Sequence, residues 1–389
     1  MNIPTYYQVL LLGDLEHRQK LLKGELGRRM FELGLGSKLR FLDEHTVKSR
    51  DRKAPLLAVF FGSTAHANDS PLIAELIQDS IIIAPIVSNV TQVSAEVPPQ
   101  LRHVNALSFD EGRAIPRIAT LILEAFRLLR RERKLFISYK RTDSQPLANL
   151  LYDALDARGF DVFIDVRSVP PAADFQSELW HRMSDSDVVV LIDTPGFRSS
   201  RWTTEELATA NATNIQILHL LWPGQTEDPD SSFSHYFKLA RGDFYAHIPL
   251  RGHFTKSRVV AAICDEAERL RARAIAARYR YLVDNFCDAA RDLSLDPVVH
   301  PEQWISVDIR GRRLSVVPAI GVPTAQRINE IFEAIASTTE RQRDDLWIVY
   351  DNRGILNNWL RHLEWLDKHL PIRTIRMSSA PEKLRGMVT

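Results

Sequence analysis

The chain has 389 residues, more than one ordinary hydrophobic core organises, so we expect about two to four domains. Its 50 Lys and Arg side chains nearly balance 49 Asp and Glu, a net charge of +1, which excludes a global electrostatic attraction to nucleic acid or an anionic membrane. The longest apolar runs, at 56–62 and 81–87, fall far short of the roughly 20 residues that a membrane helix needs. The first residues lack the pattern of a secretory leader, and Cys264 and Cys287 are the only cysteines, which favours a reducing compartment. We therefore expect a cytoplasmic protein that binds neither nucleic acid nor a membrane.

The first block, residues 1–131, alternates short apolar runs with amphipathic stretches, a pattern typical of an α/β fold. Its predicted strands are 7–12, 39–43, 56–61, 81–87 and 104–108, and its predicted helices are 17–33, 70–79 and 114–130. A basic cluster ends the block and consists of Arg127, Arg130, Arg131, Arg133 and Lys134. Cations in the last turn of a helix complement its dipole, and we favour that role over a patch for phosphate or lipid.

The second and third blocks, residues 132–292 and 293–389, repeat the same alternation. The second block has predicted strands at 134–139, 160–164, 187–192 and 215–221, and predicted helices at 144–158, 174–184, 202–212 and 256–291. Its segment 223–250 is rich in Pro, Gly, Asp and Ser, which predicts an irregular surface segment. The third block has predicted strands at 314–319, 346–350 and 372–377, and predicted helices at 323–337 and 354–369.

Four motifs follow one another along the second block: "FISY" on its first strand, "GFDVFID" on its second, a Pro-Gly pair after its third, and "SSRWTTEEL" opening the next helix. Together they resemble a Toll/interleukin-1 receptor (TIR) domain over roughly residues 134–275. The resemblance implies a flavodoxin-like parallel sheet of five strands, flanked here by two further α/β domains. Among TIR domains, the type expected is the NAD-cleaving type of bacterial immune proteins.

In NAD-cleaving TIR domains the catalytic carboxylate is a Glu four residues after the motif Trp, and counting from Trp202 gives Glu206. Glu205 is then a solvated neighbour, because consecutive helix residues point about 100° apart. One carboxylate is enough, since nicotinamide leaves a cationic ring nitrogen as a neutral molecule and needs no general acid, unlike the leaving group of a glycosidase. The carboxylate would stabilise the developing ribosyl cation. Water then yields ADP-ribose, or the adenine attacks and yields a cyclic isomer; the sequence leaves both products open.

The resemblance also implies substrate contacts at the carboxyl ends of the strands, where ligands bind in open α/β sheets. Lys140 and Arg141 would meet the pyrophosphate, and an aromatic side chain would stack a base or wall the ribose pocket. The implied substrate-binding residues are Tyr139, Lys140, Arg141, Thr194, Trp202 and Trp222. A solvated strand end and ordinary core packing of the tryptophans are the alternatives. No resident cofactor and no metal site are expected, since His362 and His369 are seven residues apart without a third ligand.

The loop 165–174 corresponds to a family loop that often reaches a neighbouring copy and completes the site only in an assembly. Pro170, Pro171 and Ala172 replace the acidic residue and the Gly often found there. The expected partners are therefore NAD and further copies of the chain through TIR contacts, together with an effector or sensor protein. The loop's own contribution to the site stays open.

The flanking blocks carry weaker signals. The first block aligns with the second if Glu75 is set against Glu206, which places Pro71 where Trp202 stands and predicts a degenerate TIR-like domain; any α/β unit aligning this loosely is the alternative. In the third block, the turns in "PAIGVPTAQRI" and "YDNRGI" follow strands, and exposed amides at such a helix start could hold an anion. Ordinary turns explain both segments equally well.

The predicted function is that of a TIR-domain NAD glycohydrolase or ADP-ribosyl cyclase that acts in bacterial antiphage defence, through NAD depletion or a cyclic signal. The alternative is a non-catalytic TIR scaffold that signals by self-association. A Glu at position 206 favours the enzyme, because a scaffold needs no carboxylate there. A hydrolase or transferase acting on another nucleotide through the same crevice is a further alternative.

Overall fold

The computed structural model describes thirteen stretches of the chain. They are residues 6–15, 17–33, 35–52, 54–68, 70–109, 114–126, 128–130, 132–164, 175–197, 213–227, 235–301, 303–338 and 345–388. The chain divides into two compact units, Met1–Leu129 with Val299–Trp304, and Arg130–Val298 with Ile305–Thr389. The finer division at residues 131 and 292 stays a prediction.

The first unit contains a parallel sheet of five short strands. They are β1 (Tyr7–Gly13), β2 (Leu39–Leu42), β3 (Leu56–Phe61), β4 (Ile82–Val87) and β5 (Leu107–Ser108), in the spatial order β2-β1-β3-β4-β5. Its helices are α1 (Arg18–Glu32), α2 (Pro71–Gln78), α3 (Val93–Glu96) and α4 (Ala114–Ala125). In α1 the buried residues Leu22, Leu26 and Met30 recur every four positions, so one stripe of the helix packs on the core.

The second unit begins with a sheet of the same order. Its strands are β6 (Lys134–Tyr139), β7 (Asp161–Ile164), β8 (Val188–Asp193), β9 (Gln216–Leu221) and β10 (His235–Lys238), in the order β10-β9-β8-β6-β7 with all neighbours parallel. Its helices are α5 (Arg141–Asp156), α6 (Phe175–Asp185) and the long α7 (Ser257–Arg291). The α/β class and the flavodoxin-like parallel sheet predicted here are confirmed. The segment 223–250, predicted to be irregular, contains the edge strand β10.

A third sheet follows along the chain. Its strands are β11 (Val298–Val299), β12 (Ile305–Ile309), β13 (Arg312–Ala319), β14 (Asp345–Tyr350) and β15 (Arg373–Arg376), in sequential order. Its helices are α8 (Ala325–Thr338), α9 (Asn357–His369) and α10 (Ala380–Val388). Strands β12 and β13 are antiparallel and joined by Arg310 and Gly311, both at positive φ, as a two-residue hairpin turn requires. The pairs β13 with β14 and β14 with β15 are parallel.

Helix α7 belongs to two cores. Its first half packs Val259, Ile263 and Leu270 into the core of the β6–β10 sheet. Its second half packs Leu282 and Phe286 into the core beneath the third sheet. One continuous helix of 35 residues thus joins both sheets of the second unit.

The described members of the basic cluster, Arg130, Arg133 and Lys134, do not lie in the last turn of a helix, which corrects the role predicted for them. Helix α4 ends at Ala125, and the described members of the cluster lie beyond it. Arg130 Nε donates to Asp187 Oδ1 at 2.7 Å, and Arg133 Nη1 donates to Glu268 Oε1 at 2.8 Å. Since Asp187 is fully buried and also accepts from Arg271 Nε at 3.1 Å, the cluster anchors the start of the β6–β10 sheet through buried ion pairs.

The turn after β13 does hold an anion, but the anion comes from the protein itself. The backbone N–H of Val322 donates to Asp185 Oδ1 at 3.0 Å, and Asp185 is the last residue of α6. In the next turn, Ser184 Oγ donates to the carbonyl of Arg353 at 3.0 Å, and a Cβ on Gly354 would lie 2.1 Å from Ser184 Oγ. The carboxyl edge of the third sheet is therefore occupied by the end of α6.

Candidate functional site

A cleft of about 460 Å³ lies at the carboxyl edge of the β6–β10 sheet. Strands β6, β8 and β9 end at this edge, and the segments that follow them line the cleft. The lining residues are Asp143, Thr194, Pro195, Gly196, Trp222, Ile248, Pro249, Leu250 and Arg251. The position is the usual ligand edge of an open α/β sheet, and the volume lies within the roughly 300–1,000 Å³ of small-molecule sites.

A polar network crosses the ends of β6 and β8. Thr194 Oγ1 donates to Asp143 Oδ2 at 3.1 Å, and Lys140 Nζ lies 3.8 Å from the same oxygen. Lys140 Nζ also donates to the carbonyl of Gly196 at 3.2 Å. The ammonium group has three N–H donors, so it can turn one toward a ligand phosphate while it keeps these contacts.

Gly196 makes room for this network. A Cβ at this position would lie 2.5 Å from Asp143 Oδ2 and 2.7 Å from Lys140 Nζ, closer than real Cβ atoms approach other atoms. The turn that carries it is closed by the N–H of Phe197, which donates to the carbonyl of Thr194 at 2.9 Å. A residue without a side chain is thus needed for the Lys140 and Asp143 side chains to meet over the turn.

The opposite wall of the cleft is a strained loop between β10 and α7. Arg251 has φ +48°, a conformation that costs a non-glycine residue about 1–3 kcal/mol. Next to it, Gly252 packs so closely on α5 that a Cβ would lie 2.4 Å from Leu147 Cβ. Arg251 Nη2 donates to the carbonyl of Arg141 at 3.1 Å, so the loop places a guanidinium at the start of α5.

Helix α5 begins irregularly at this wall. Ser144 has φ −147°, outside helical geometry, and Pro146 follows in what is then the first regular turn. The predicted helix start at 144 matches this break, and the preceding turn carries Arg141 and Asp143 at the cleft. The positive end of a helix dipole, together with the nearby Lys140 and Arg251 side chains, favours an anionic ligand here.

The structure brings some of the predicted substrate residues together and separates others. Thr194 and Trp222 line the cleft, and the Trp222 ring packs on the Phe244 ring with centroids 5.6 Å apart. Lys140 and Arg141 lie at its edge through the contacts described above. Tyr139 is 1 % exposed and packs in the hydrophobic core beneath the cleft. Trp202, Glu205, Glu206 and the loop 165–174 lie outside the described residues.

Three residues of the site were not anticipated from the sequence: Asp143, Gly196 and Arg251. The Pro-Gly pair that contains Gly196 marked the turn but not the side chains that it admits. Arg251 lies in a segment that the composition predicts to be irregular, and only its Gly252 neighbour signals a special backbone there. The pairing of Asp143 with Thr194 joins residues 51 positions apart, which local patterns do not reveal.

A comparison with protein families identifies the domain. The family model described as the TIR domain matches residues 135–249, which run from β6 into the loop between β10 and α7. Residues 135–249 are a TIR domain. No curated protein matches this chain. The cleft of the TIR domain is therefore formed by residues inside the matched range and by Leu250 and Arg251 directly after it.

The TIR cleft provides a buried hydroxyl, a carboxylate, two cationic groups and an aromatic wall. These groups suit a ligand that combines phosphates, hydroxyls and a flat ring. In the part of the chain that the structure describes, no cluster of three or more His, Cys, Asp or Glu side chains is placed to hold a metal ion. None of the helices in the described ranges is long and apolar enough to cross a membrane.

Proposed function

We propose that the TIR domain cleaves NAD between nicotinamide and ribose, as a glycohydrolase or an ADP-ribosyl cyclase. The observation that carries the proposal is the cleft at the carboxyl edge of the TIR sheet, with Lys140, Asp143, Thr194, Trp222 and Arg251 around it. The turn that lines this cleft ends at Phe197, and the segment that follows carries Trp202 and Glu206 in the family's catalytic motif. Glu206 is thus close in sequence to the cleft.

In this proposal Lys140 and Arg251 hold the pyrophosphate, since Arg251 lines the cleft and Lys140 Nζ contacts the lining residues Asp143 and Gly196. Trp222 stacks a base, and Thr194 with Asp143 fixes the turn against which the ribose lies. Glu206 accepts hydrogen bonds from the ribose hydroxyls, and these bonds strengthen as positive charge develops at the anomeric carbon. Nicotinamide leaves as a neutral molecule, so a single carboxylate accounts for the chemistry.

We further propose that activity requires self-association through the TIR domain. The loop between β10 and α7 exposes four large apolar side chains: Tyr245, Ile248, Leu250 and Phe254. Exposed apolar residues concentrated in ten positions of one loop indicate a contact surface. A second copy of the chain that covers this loop would also exclude water from the cleft beside it.

The cellular setting follows from the same proposal. NAD depletion or a cyclic ADP-ribose product would act as a bacterial antiphage response in the cytoplasm. Cys264 and Cys287 are buried and form no disulfide, which supports a reducing compartment. A partner protein that senses infection or responds to the product belongs to this proposal as well.

The test is substrate turnover by the purified full chain at high concentration, measured by chromatography with NAD, NADP and ATP as separate substrates. Nicotinamide release reports cleavage of NAD or NADP, and loss of ATP reports its turnover. We expect release from NAD, reduced about 100-fold or more in Glu206→Ala and retained in Glu205→Ala. The co-product, ADP-ribose or a cyclic isomer, distinguishes the two reactions. Turnover of ATP alone would favour the other-nucleotide enzyme. No release from any variant, in a protein that self-associates, would favour the scaffold.

A further inference from the structure

A large cavity lies at the amino end of the third sheet, at the edge opposite the turns that hold α6. Its volume is about 1,050 Å³, and its walls are the β12–β13 hairpin, the starts of β14 and β15, and parts of α9 and α10. Three kinds of side chain line the cavity: basic, acidic and apolar. The basic side chains are Arg310, Arg312, Arg373, Arg376 and Lys383, and the acidic ones are Asp345, Glu364 and Asp367.

The basic side chains are only partly neutralised. Arg376 pairs with Glu364, and Arg373 lies near Asp367. Within the described ranges, the side chains of Arg312 and Lys383 make neither a hydrogen bond nor an ion pair, so both cations are available to a ligand.

The carboxylate of Asp367 is already committed to the protein. Its Oδ1 accepts from the backbone N–H of Thr374 at 2.7 Å, and its Oδ2 accepts from Thr374 Oγ1 at 3.1 Å. Burial raises the pKa of this carboxyl above its ordinary value, although the two hydrogen bonds from Thr374 oppose the rise. Asp367 therefore supports the start of β15 and competes little for the guanidinium groups of the cavity.

The cavity also has an apolar side. Ile309, Trp347, Ile375 and Met387 contribute to its lining, and Trp347 is almost fully buried in the core of the sheet. A ligand that fits must therefore combine several negative charges with an apolar or flat part.

We propose that this cavity binds a small molecule with two or more phosphate groups and a flat ring, the class of nucleoside di- and triphosphates. Guanidinium forks bind phosphate oxygens in pairs, and an ammonium adds a point charge. Arg312 and Lys383 bind the phosphates, and Trp347 and Met387 contact the ring. The site is separate from the TIR cleft and does not depend on NAD cleavage.

The wall of the cavity is connected to the TIR domain by α9. Glu364 and Asp367 in its second half line the cavity. At its start, the N–H of Leu356 donates to His181 Nδ1 at 3.4 Å, and the Trp359 and His181 rings lie 5.8 Å apart. Since His181 belongs to α6, a ligand in the cavity contacts the same helix that contacts the TIR domain.

A different account of the basic side chains is that they protect the edge strand β15 from pairing with another chain. Charges on edge strands commonly have this effect and need no ligand. That account predicts no saturable binding of phosphates, whereas the proposed site predicts binding that depends on Arg312 and Lys383.

The test is isothermal titration of the full chain with ATP, with inorganic triphosphate and with adenosine. We expect ATP to bind most tightly, triphosphate more weakly and adenosine weakly or not at all. In Arg312→Glu/Lys383→Glu, we expect ATP affinity to fall about tenfold or more. Both side chains lie at the surface without partners among the described residues, so the variant should fold, which its thermal unfolding will show.

The matched control is Arg361→Glu/Lys368→Glu, which makes the same charge change on α9 outside the cavity. This variant should bind ATP like the wild type. Equal loss in both variants would show non-specific attraction and overturn the proposal, as would the absence of ATP binding. ATP binding that survives in Arg312→Glu/Lys383→Glu would place the ligand elsewhere, with the TIR cleft as the next candidate.

Discussion

The sheets β1–β5 and β6–β10 have the same strand order but different carboxyl edges. In both, the first strand lies between the second and third, and all neighbouring strands whose pairing is described run parallel. Such an order creates one favoured edge for ligands in each sheet. What lies on that edge differs completely between the two.

The edge of the β1–β5 sheet is closed by backbone. A Cβ on Gly13 would lie 2.1 Å from the carbonyl oxygen of Phe61, and a Cβ on Gly62 would lie 2.8 Å from that of Glu96. The N–H of Ser63 donates to the same Glu96 carbonyl at 3.1 Å, and Phe109 packs edge-on against Phe61. Backbone contacts of this kind fill the place where the TIR sheet has its cleft.

The carboxylate on α2 is held in an ion pair. Glu75, which the predicted sequence alignment sets against Glu206, accepts from Arg50 Nη2 at 2.8 Å, and Arg50 also pairs with Asp79. In the first sheet this carboxylate is thus part of a structural ion pair. The comparison teaches that strand order provides the edge, whereas the glycines and the side chains on it decide whether a site exists.

The largest expected effect concerns the buried ion pairs around Asp187 in the TIR sheet. Asp187 is fully buried between Arg130 and Arg271, so Asp187→Asn removes the buried negative charge that both guanidinium groups share and should lower the free energy of unfolding by about 3–5 kcal/mol. Asp79→Asn, in the partly exposed pair of the first sheet, should cost about 1 kcal/mol or less. Hydrogen exchange of the amides of β8 and β3 measures the two effects separately. Equal losses of unfolding free energy in the two variants would contradict the role given to the buried ion pairs of Asp187.

Substitution of the glycines at the two sheet edges should have different effects on stability. Gly13→Ala must move backbone at φ +79°, so we expect the first unit to lose about 2–4 kcal/mol of unfolding free energy. In Gly196→Ala the obstacles are the ends of the Asp143 and Lys140 side chains, which can move, so stability should change by less than about 1 kcal/mol. Nicotinamide release by Gly196→Ala should fall about tenfold because the cleft network is displaced. A Gly196→Ala protein with unchanged activity would show that the network is not part of the site.

Low pH should lower the unfolding free energy of the second unit because Asp185 becomes protonated. Burial opposes ionisation of this carboxyl, but Arg130 and Lys134 outweigh it and lower its pKa below the ordinary 3.8. A lowered folded pKa stabilises the protein above the unfolded pKa, and that contribution is lost as the pH falls through the folded pKa. Asp185→Asn should therefore cost about 2 kcal/mol at pH 7, and its difference from wild type should shrink below about pH 4. A difference that stays constant in urea unfolding from pH 7 to pH 2 would contradict this.

The smallest expected effect is a difference in stability cost between removing two hydroxyl groups that donate to the carboxylate of Asp143. Thr194 is buried and Thr142 is exposed, and their Oγ1 atoms lie 3.1 and 2.6 Å from Asp143 oxygens. Thr194→Val should cost about 1 kcal/mol, and Thr142→Val should cost less than half of that. Thermal unfolding of both variants measures the difference. A larger cost for Thr142→Val would mean that the buried hydrogen bond does not hold the turn.

The sequence was sufficient to predict the strands and helices with strong periodicity, such as β6, β8 and α1, and the TIR resemblance of the second block. It did not reveal β10 and β12, because four or five residues next to Pro, Gly and Ser give too short a pattern. It also assigned the cations around Arg130 to a helix end, since their partner Asp187 is 57 positions away. Of the candidate site, the strand ends were predicted, whereas Gly196 and Arg251 depend on close approach between distant segments.

The most direct measurement compares Glu206→Gln with Glu75→Gln in the full chain. Both replace a carboxylate by an amide of equal size, at positions that the sequence alignment of the first and second blocks sets against each other. Initial rates of nicotinamide release from NAD should fall about 100-fold or more in Glu206→Gln and stay at the wild-type level in Glu75→Gln. Wild-type release by Glu206→Gln would contradict the assignment of Glu206 and with it the proposed mechanism.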